Sequence, residues 1–74
     1  MSNKIKLFGA SWCPACELIK QTLSENKVEF VYVDAGENPK EAQDLGIRSL
    51  PTIIVDDQTI INPSISQLRS MGIL

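Results

Sequence analysis

Two cysteines three positions apart, Cys13 and Cys16, are the only ones in a chain of 74 residues. A bridge between them closes almost no loop, and the chain-entropy model gives it about 2 kcal/mol, the low end for a disulfide. Secreted mini-domains stapled by disulfides usually carry at least four cysteines closing longer loops. This chain must therefore hold itself together by packing, although a domain of its size buries only about 60% of its unfolded surface. Apolar residues make up 43% and charged residues 22%, which suits a packed core and not a disordered tail. One small domain over residues 1–74 is expected.

The same numbers exclude partners. Seven basic against nine acidic residues give a net charge of -2. Phosphate binding needs clustered Lys and Arg, so no nucleic acid is expected. No apolar run approaches the ~20 residues that cross a bilayer, so no membrane partner is expected either. Lys4 and Lys6 interrupt the apolar stretch near the N-terminus, which leaves no signal-peptide core. The expectation is a cytoplasmic protein acting as a monomer.

The hydrophobic pattern predicts a β-α-β-α-β-β-α order. Lys4–Phe8 reads as a strand, with Ile5 and Leu7 on one face and the two lysines on the other. A helix fits Pro14–Glu25, because proline suits the first helical position. Its apolar face would be Ala15, Leu18, Ile19, Thr22 and Leu23, with Asn26 as a left-handed cap. Val28–Val33 is apolar on both faces, which predicts an interior strand covered on both sides. Asn38-Pro39-Lys40-Glu41 reads as a capped helix start, and Gly46 as that helix's end. Thr52–Val55 and Gln58–Ile61 read as a hairpin turning at Asp56-Asp57. Ser64–Gln67 reads as a capping box opening a last helix, with Ile65 and Leu68 inward and Gly72 as its stop. The helical crossover between the first two strands implies that they are parallel.

The chemistry concentrates at Trp12-Cys13-Pro14-Ala15-Cys16, where the first strand hands over to the first helix. Cys13 falls at or beside the N-cap, so its sulfur lies near the free N–H groups of the first turn. Those groups and the helix dipole favour a thiolate. Cys16, one turn on, lies within reach of Cys13. An ordinary thiol near pKa 8.5 is only about 3% ionised at pH 7, and lowering it to ~7 makes it about half thiolate. Since the thiolate is the attacking species, such a pair works as a dithiol switch, Cys13 attacking and Cys16 resolving.

Other readings of the pair are a structural disulfide, chance core cysteines, and a metal-bridged dimeric binding module. The metal reading needs two chains, because a structural zinc usually takes four Cys or His ligands and this chain has two Cys and no His. Metal content of the fresh protein separates it from the redox reading. Arg48-Ser49-Leu50-Pro51-Thr52 stands before the third strand, where a proline is tolerated. A cis Leu50-Pro51 bond is a candidate there, although only about 5–6% of X-Pro bonds are cis. Tyr32 reads as a core or edge residue, and Asp34, Glu37, Glu41 and Asp44 as a solvated face. Trp12 either covers the helix end or touches substrate. Arg48 is either a solvated charge or an attractor of acidic partners.

Taken together, Trp12–Cys16 and Ile47–Thr52 resemble the thioredoxin/glutaredoxin superfamily, and the likeness runs from Ile5 to Gly72 in order and spacing. The resemblance implies an α/β minimal thioredoxin fold, a mixed four-stranded sheet flanked by helices. It implies a dithiol–disulfide oxidoreductase with Cys13 as nucleophile, Cys16 as resolving thiol, and Trp12, Pro14, Arg48, Leu50 and Pro51 shaping the substrate groove. A cis Pro51 would face the dithiol, and the Leu50 backbone would pair with the substrate. No metal or organic cofactor is implied beyond the Cys13–Cys16 disulfide itself. Partners would be a protein disulfide, with a ribonucleotide reductase tail as one candidate, and glutathione or a thioredoxin-reductase-type donor. Trp12 and the Ile47–Thr52 run look like thioredoxin, while the length and the short second helix look like glutaredoxin. Leu7 stands where thioredoxins carry a buried Asp. Residues 61–66 lack the glycine pair of glutaredoxins, and residues 9–12 lack their Lys. These differences predict weak glutathione binding.

Overall fold

The computed structural model describes residues 5–74. Its elements are β1 (Ile5–Gly9), α1 (Pro14–Glu25), β2 (Val31–Asp34), α2 (Pro39–Asp44), β3 (Thr52–Val55), β4 (Gln58–Ile61) and α3 (Ile65–Ser70). The order is the expected β-α-β-α-β-β-α. Lys4, expected at the head of the first strand, lies outside the described residues.

The four strands form one sheet in the order β2-β1-β3-β4. β1 and β2 are parallel, as the helical crossover between them requires, with Leu7 opposite Tyr32 and Phe8 opposite Val33. β3 runs antiparallel to β1, pairing Leu7 with Ile53, and β4 completes the hairpin on β3. Asp56 takes the left-handed conformation in the turn, φ 53°, a state that Asp tolerates better than most residues.

Alternation along the strands gives the sheet two covered faces. On one, Ile5, Leu7, Ile53, Val55 and Ile60 pack with Ile19 and Leu23 of α1 and Leu68 of α3. On the other, Phe8 and Val33 pack with Ala42 of α2. Fully burying a side chain such as Leu7, Phe8, Leu23, Ile53 or Leu68 contributes about 1.5–3 kcal/mol.

Several local expectations are corrected. The second strand starts at Val31, not Val28, because pairing with β1 begins opposite Lys6. It is an edge strand and not an interior one, and its Val31 is 57% exposed. Val28 and Phe30 still pack on the core, but from the loop. The buried stripe of α1 is Cys16, Ile19 and Leu23, while Ala15 and Leu18 face solvent. Asn26 stays near φ -91° because its side-chain amide donates to the Thr22 carbonyl at 2.8 Å. The left-handed residue is Lys27, φ 58°. Asn38 makes no side-chain cap; its amide donates instead to the Asp34 carbonyl at 3.0 Å.

The other boundary signals act as read. Gly46 turns left-handed just after α2, and the Ile47 N–H closes on the Ala42 carbonyl at 2.9 Å. Ser64 Oγ accepts from the Gln67 N–H at 3.0 Å and caps α3, which ends at a left-handed Gly72.

Candidate active site

β1 ends at Gly9 and α1 starts after four intervening residues, so the turn between them delivers Cys13 to the helix N-terminus. The turn is closed by the Cys13 N–H donating to the Ala10 carbonyl at 3.1 Å. Cys13 is the N-cap of α1, and its Sγ accepts from the Cys16 N–H at 3.2 Å. The sulfur itself therefore takes the place of the usual capping oxygen and faces the positive end of the helix. Pro14 follows at the first helical position and is exposed.

Cys13 and Cys16 are joined in a disulfide, with their Cα atoms 5.2 Å apart. Cys16 is fully buried, and Cys13 keeps the pair's remaining exposure, 7%. A ligand or partner therefore meets Cys13 first.

The Arg48–Thr52 segment comes from elsewhere in the chain to the same place. The Leu50-Pro51 peptide bond is cis. Leu50 packs on the buried cluster of Ala10, Cys13 and Cys16, and Pro51 is fully buried beside it. Two hydrogen bonds pin the segment. Thr52 Oγ1 donates to the Ser49 carbonyl at 2.6 Å, and the Asn62 N–H donates to the Pro51 carbonyl at 2.8 Å. A loop far from the cysteines in sequence thus forms the other wall of the site.

Trp12 lies next to the disulfide and is 75% exposed, so it packs little against the rest of the chain. Arg48 is exposed and lines a shallow depression of about 520 Å³ with Ala35, Gln43, Ile47 and Leu50. That depression shares the Leu50 wall but opens toward α2. Arg48 is therefore a neighbour of the site rather than a contact of the sulfurs. Among the described residues there is no group of three or more His, Cys, Asp or Glu side chains placed to hold a metal ion. No helix among them is long and apolar enough to cross a membrane.

From the sequence, Tyr32 is expected in the core or at an edge, with no part in the site. The structure places it across Gly9 from Cys16. A Cβ built on Gly9 would lie 2.9 Å from Cys16 Cβ and 3.1 Å from the Tyr32 hydroxyl, so the missing side chain is what lets the two approach. Burial pushes the Tyr32 phenol above its ordinary value, and the carboxylates of Asp34, Glu17 and Glu37 push the same way. The sequence reads Gly9 as lying just past the first strand, whereas it is the last residue of β1, where a glycine often marks a close approach.

The glutaredoxin family model matches residues 5–60. The chain belongs to the glutaredoxin family. This family member is also similar to curated thioredoxins. It is 36% identical over 59 residues to the thioredoxin of Methanocaldococcus jannaschii, covering 72% of this chain and 69% of that one. It is 37% identical over 54 residues to the thioredoxin of Griffithsia pacifica, covering 65% and 50%. The chain thus spans about two thirds of the first relative's length and half of the second's.

Among solved structures, a reduced Schistosoma mansoni thioredoxin superposes with a TM-score of 0.81 at 24% identity, over 99% of this chain and 80% of that one. A Malassezia sympodialis thioredoxin gives 0.77 at 27% identity, over 95% and 71%. The fold is the small thioredoxin-like α/β fold expected from the resemblance. Family membership and the bonded Cys13–Cys16 pair make the chain a dithiol–disulfide oxidoreductase.

Proposed function

We propose that this protein reduces protein disulfides through Cys13 and Cys16. The observation that carries the reading is a bonded cysteine pair at the N-terminus of α1, with the cis Leu50-Pro51 segment packed on it. In the reduced protein, the Cys13 thiolate attacks one sulfur of the substrate disulfide. A Cys13–substrate disulfide forms, and the other substrate sulfur leaves with the electron pair and takes a proton. Cys16 then loses its proton and attacks Cys13 Sγ. The internal disulfide closes, and the second substrate sulfur leaves in turn and is protonated. Two electrons pass from the dithiol to the substrate, and no metal or organic cofactor takes part.

Each neighbour has a role in this reading. The helix N-terminus stabilises the Cys13 thiolate and Pro14 sets the helix start. Trp12, Leu50 and Pro51 shape the groove that receives an extended substrate segment, and a ribonucleotide reductase tail is one candidate. Arg48, at the edge of the groove, favours acidic substrates. Having only this one cysteine pair, the protein suits a reducing cytoplasm.

Electrons arrive from a thioredoxin-reductase-type donor in preference to glutathione. Glutathione carries two carboxylates, which need cations or N–H groups placed for them. Residues 9–12 hold no Lys, and residues 61–66 hold no glycine pair. Each missing charge-assisted bond costs roughly 1.5–3 kcal/mol.

The experiment is trapping. Cys16→Ser should accumulate a mixed disulfide at Cys13 with a protein substrate, and Cys13→Ser should accumulate none. Equal trapping by both variants would overturn the two roles. Turnover saturating at low glutathione, with none from a thioredoxin reductase, would reverse the donor assignment.

A further inference from the structure

A tyrosine stands across Gly9 from the resolving cysteine. Gly9, Cys16 and Tyr32 meet at the point where a Gly9 Cβ would stand, 2.9 Å from Cys16 Cβ and 3.1 Å from the Tyr32 hydroxyl. Sharing that point, the hydroxyl and Cys16 Cβ lie no more than about 6 Å apart, and a C–S bond with one hydrogen bond to the sulfur reaches about 5 Å of that. A second contact holds the ring there. Lys20 lies four residues after Cys16, on the same side of α1, and its Nζ sits 4.6 Å from the Tyr32 ring centroid.

We propose that the Tyr32 hydroxyl donates a hydrogen bond to the Cys16 sulfur once the disulfide opens, stabilising the Cys16 thiolate. The proposal rests on Cys16 being the resolving thiol. In the resolving step, Cys16 gives its proton to solvent and its thiolate bonds to Cys13 Sγ. The Cys13–substrate bond breaks, and its electron pair leaves on the substrate sulfur, which is then protonated. A hydrogen bond to the thiolate favours the ionised form of Cys16 before attack. When a donor thiolate later attacks Cys13, the same bond stabilises Cys16 as the leaving group.

The charges around the hydroxyl come from two elements and one turn. Glu17 and Lys20 face it from α1, Asp34 from β2 and Glu37 from the turn after it, while β1 adds no charge there, setting Leu7 opposite Tyr32 and the bare Gly9 beside its hydroxyl. Burial and the three carboxylates keep the phenol protonated beyond its ordinary range, so it remains a donor while Cys16 ionises.

The signature is a crossover in pH. Losing the hydrogen bond in Tyr32→Phe should move the Cys16 titration up by about one pH unit, leaving about tenfold less thiolate at neutral pH. The more basic thiolate is intrinsically more nucleophilic, by about threefold for a Brønsted slope near 0.45. Resolution should therefore be about threefold slower near pH 7. It should be about threefold faster at a pH that ionises Cys16 in both proteins.

The test is single-turnover reaction of the reduced protein with the nitrothiobenzoate disulfide reagent. The first release of coloured thiolate reports attack by Cys13, and the second reports resolution by Cys16. Tyr32→Phe should leave the first phase unchanged and show the crossover in the second. Unchanged second phases, or a uniform slowing at every pH, would overturn the hydrogen bond. If the wild type shows no second phase, Cys16 does not resolve, and the role given to Tyr32 falls with it.

Discussion

Gly9 is where a single atom decides the geometry of the site. Its position in β1 faces α1, and an added Cβ would come within 2.9 Å of Cys16 Cβ and 3.1 Å of the Tyr32 ring and hydroxyl. Neither the α1 backbone that carries Cys16 nor the ring held under Lys20 can yield cheaply. Gly9→Ala is expected to lower the unfolding free energy by about 1–3 kcal/mol in denaturant titration, the usual cost of overpacking. An unchanged midpoint would mean that the crevice relaxes freely. Tyr32 supplies the pH dependence at the same scale. Its folded value lies above the ordinary 10.0, mainly through burial. In that range the folded state holds the proton more tightly than the unfolded chain. Stability is thus fully present below about pH 10 and declines as pH rises from there through the folded value. Unfolding midpoints measured across that range should fall with pH, and more steeply than in Tyr32→Phe.

Among the elements, the segment before β3 positions the site most directly. Leu50 reaches the cysteines only because Ser49 and Pro51 on either side of it are tied down, one by the Thr52 hydroxyl and the other by the Asn62 N–H. Thr52 is 1% exposed, so its hydroxyl has no access to water as an alternative. Thr52→Val keeps the shape and removes the bond. A net loss of about 1 kcal/mol is expected, with an unchanged denaturant slope. The same variant should alkylate faster at Cys13 when reduced, as the Leu50 wall loosens. A Cys13 rate equal to that of the wild type would show that the Asn62 bond alone holds the wall.

At the scale of the whole molecule, stability is carried by two thin layers. α1 and α3 cover one face of the sheet and α2 the other. α3 is short, and Leu68, completely buried, is its main anchor. A folded unit of this length has a net stability of roughly 4–11 kcal/mol at 0.05–0.15 kcal/mol per residue. Leu68→Ala should cost about 2–5 kcal/mol, a large part of that total. The check is a chemical unfolding curve, in which the midpoint should fall sharply. A loss under about 1 kcal/mol would mean that the core closes over the gap.

Signals that act within about four residues were legible from the chain alone. Pro14 opens α1, Gly46 and Gly72 close their helices, Ser64 caps α3, and Asp56-Asp57 turns the hairpin. Each is a backbone preference or a short hydrogen bond that needs no distant partner, and so is the placement of Cys13 at a helix N-terminus. Sheet order was not legible in the same way. VEFVYV looked interior because both of its faces are apolar. Val28 and Phe30 pack from a loop instead, and Val31 lies on an edge where strand pairing ends. Asn26 and Asn38 are local exceptions, since each amide has two short-range uses open to it and the carbonyl four residues back outweighed the expected role. Only the assembled sheet sets Leu50 on the cysteines and brings Tyr32 across the bare Gly9 to Cys16. These contacts join residues far apart in the chain. Their geometry depends on register and helix packing, which arise from the sum of many long-range contacts and leave no local pattern to read.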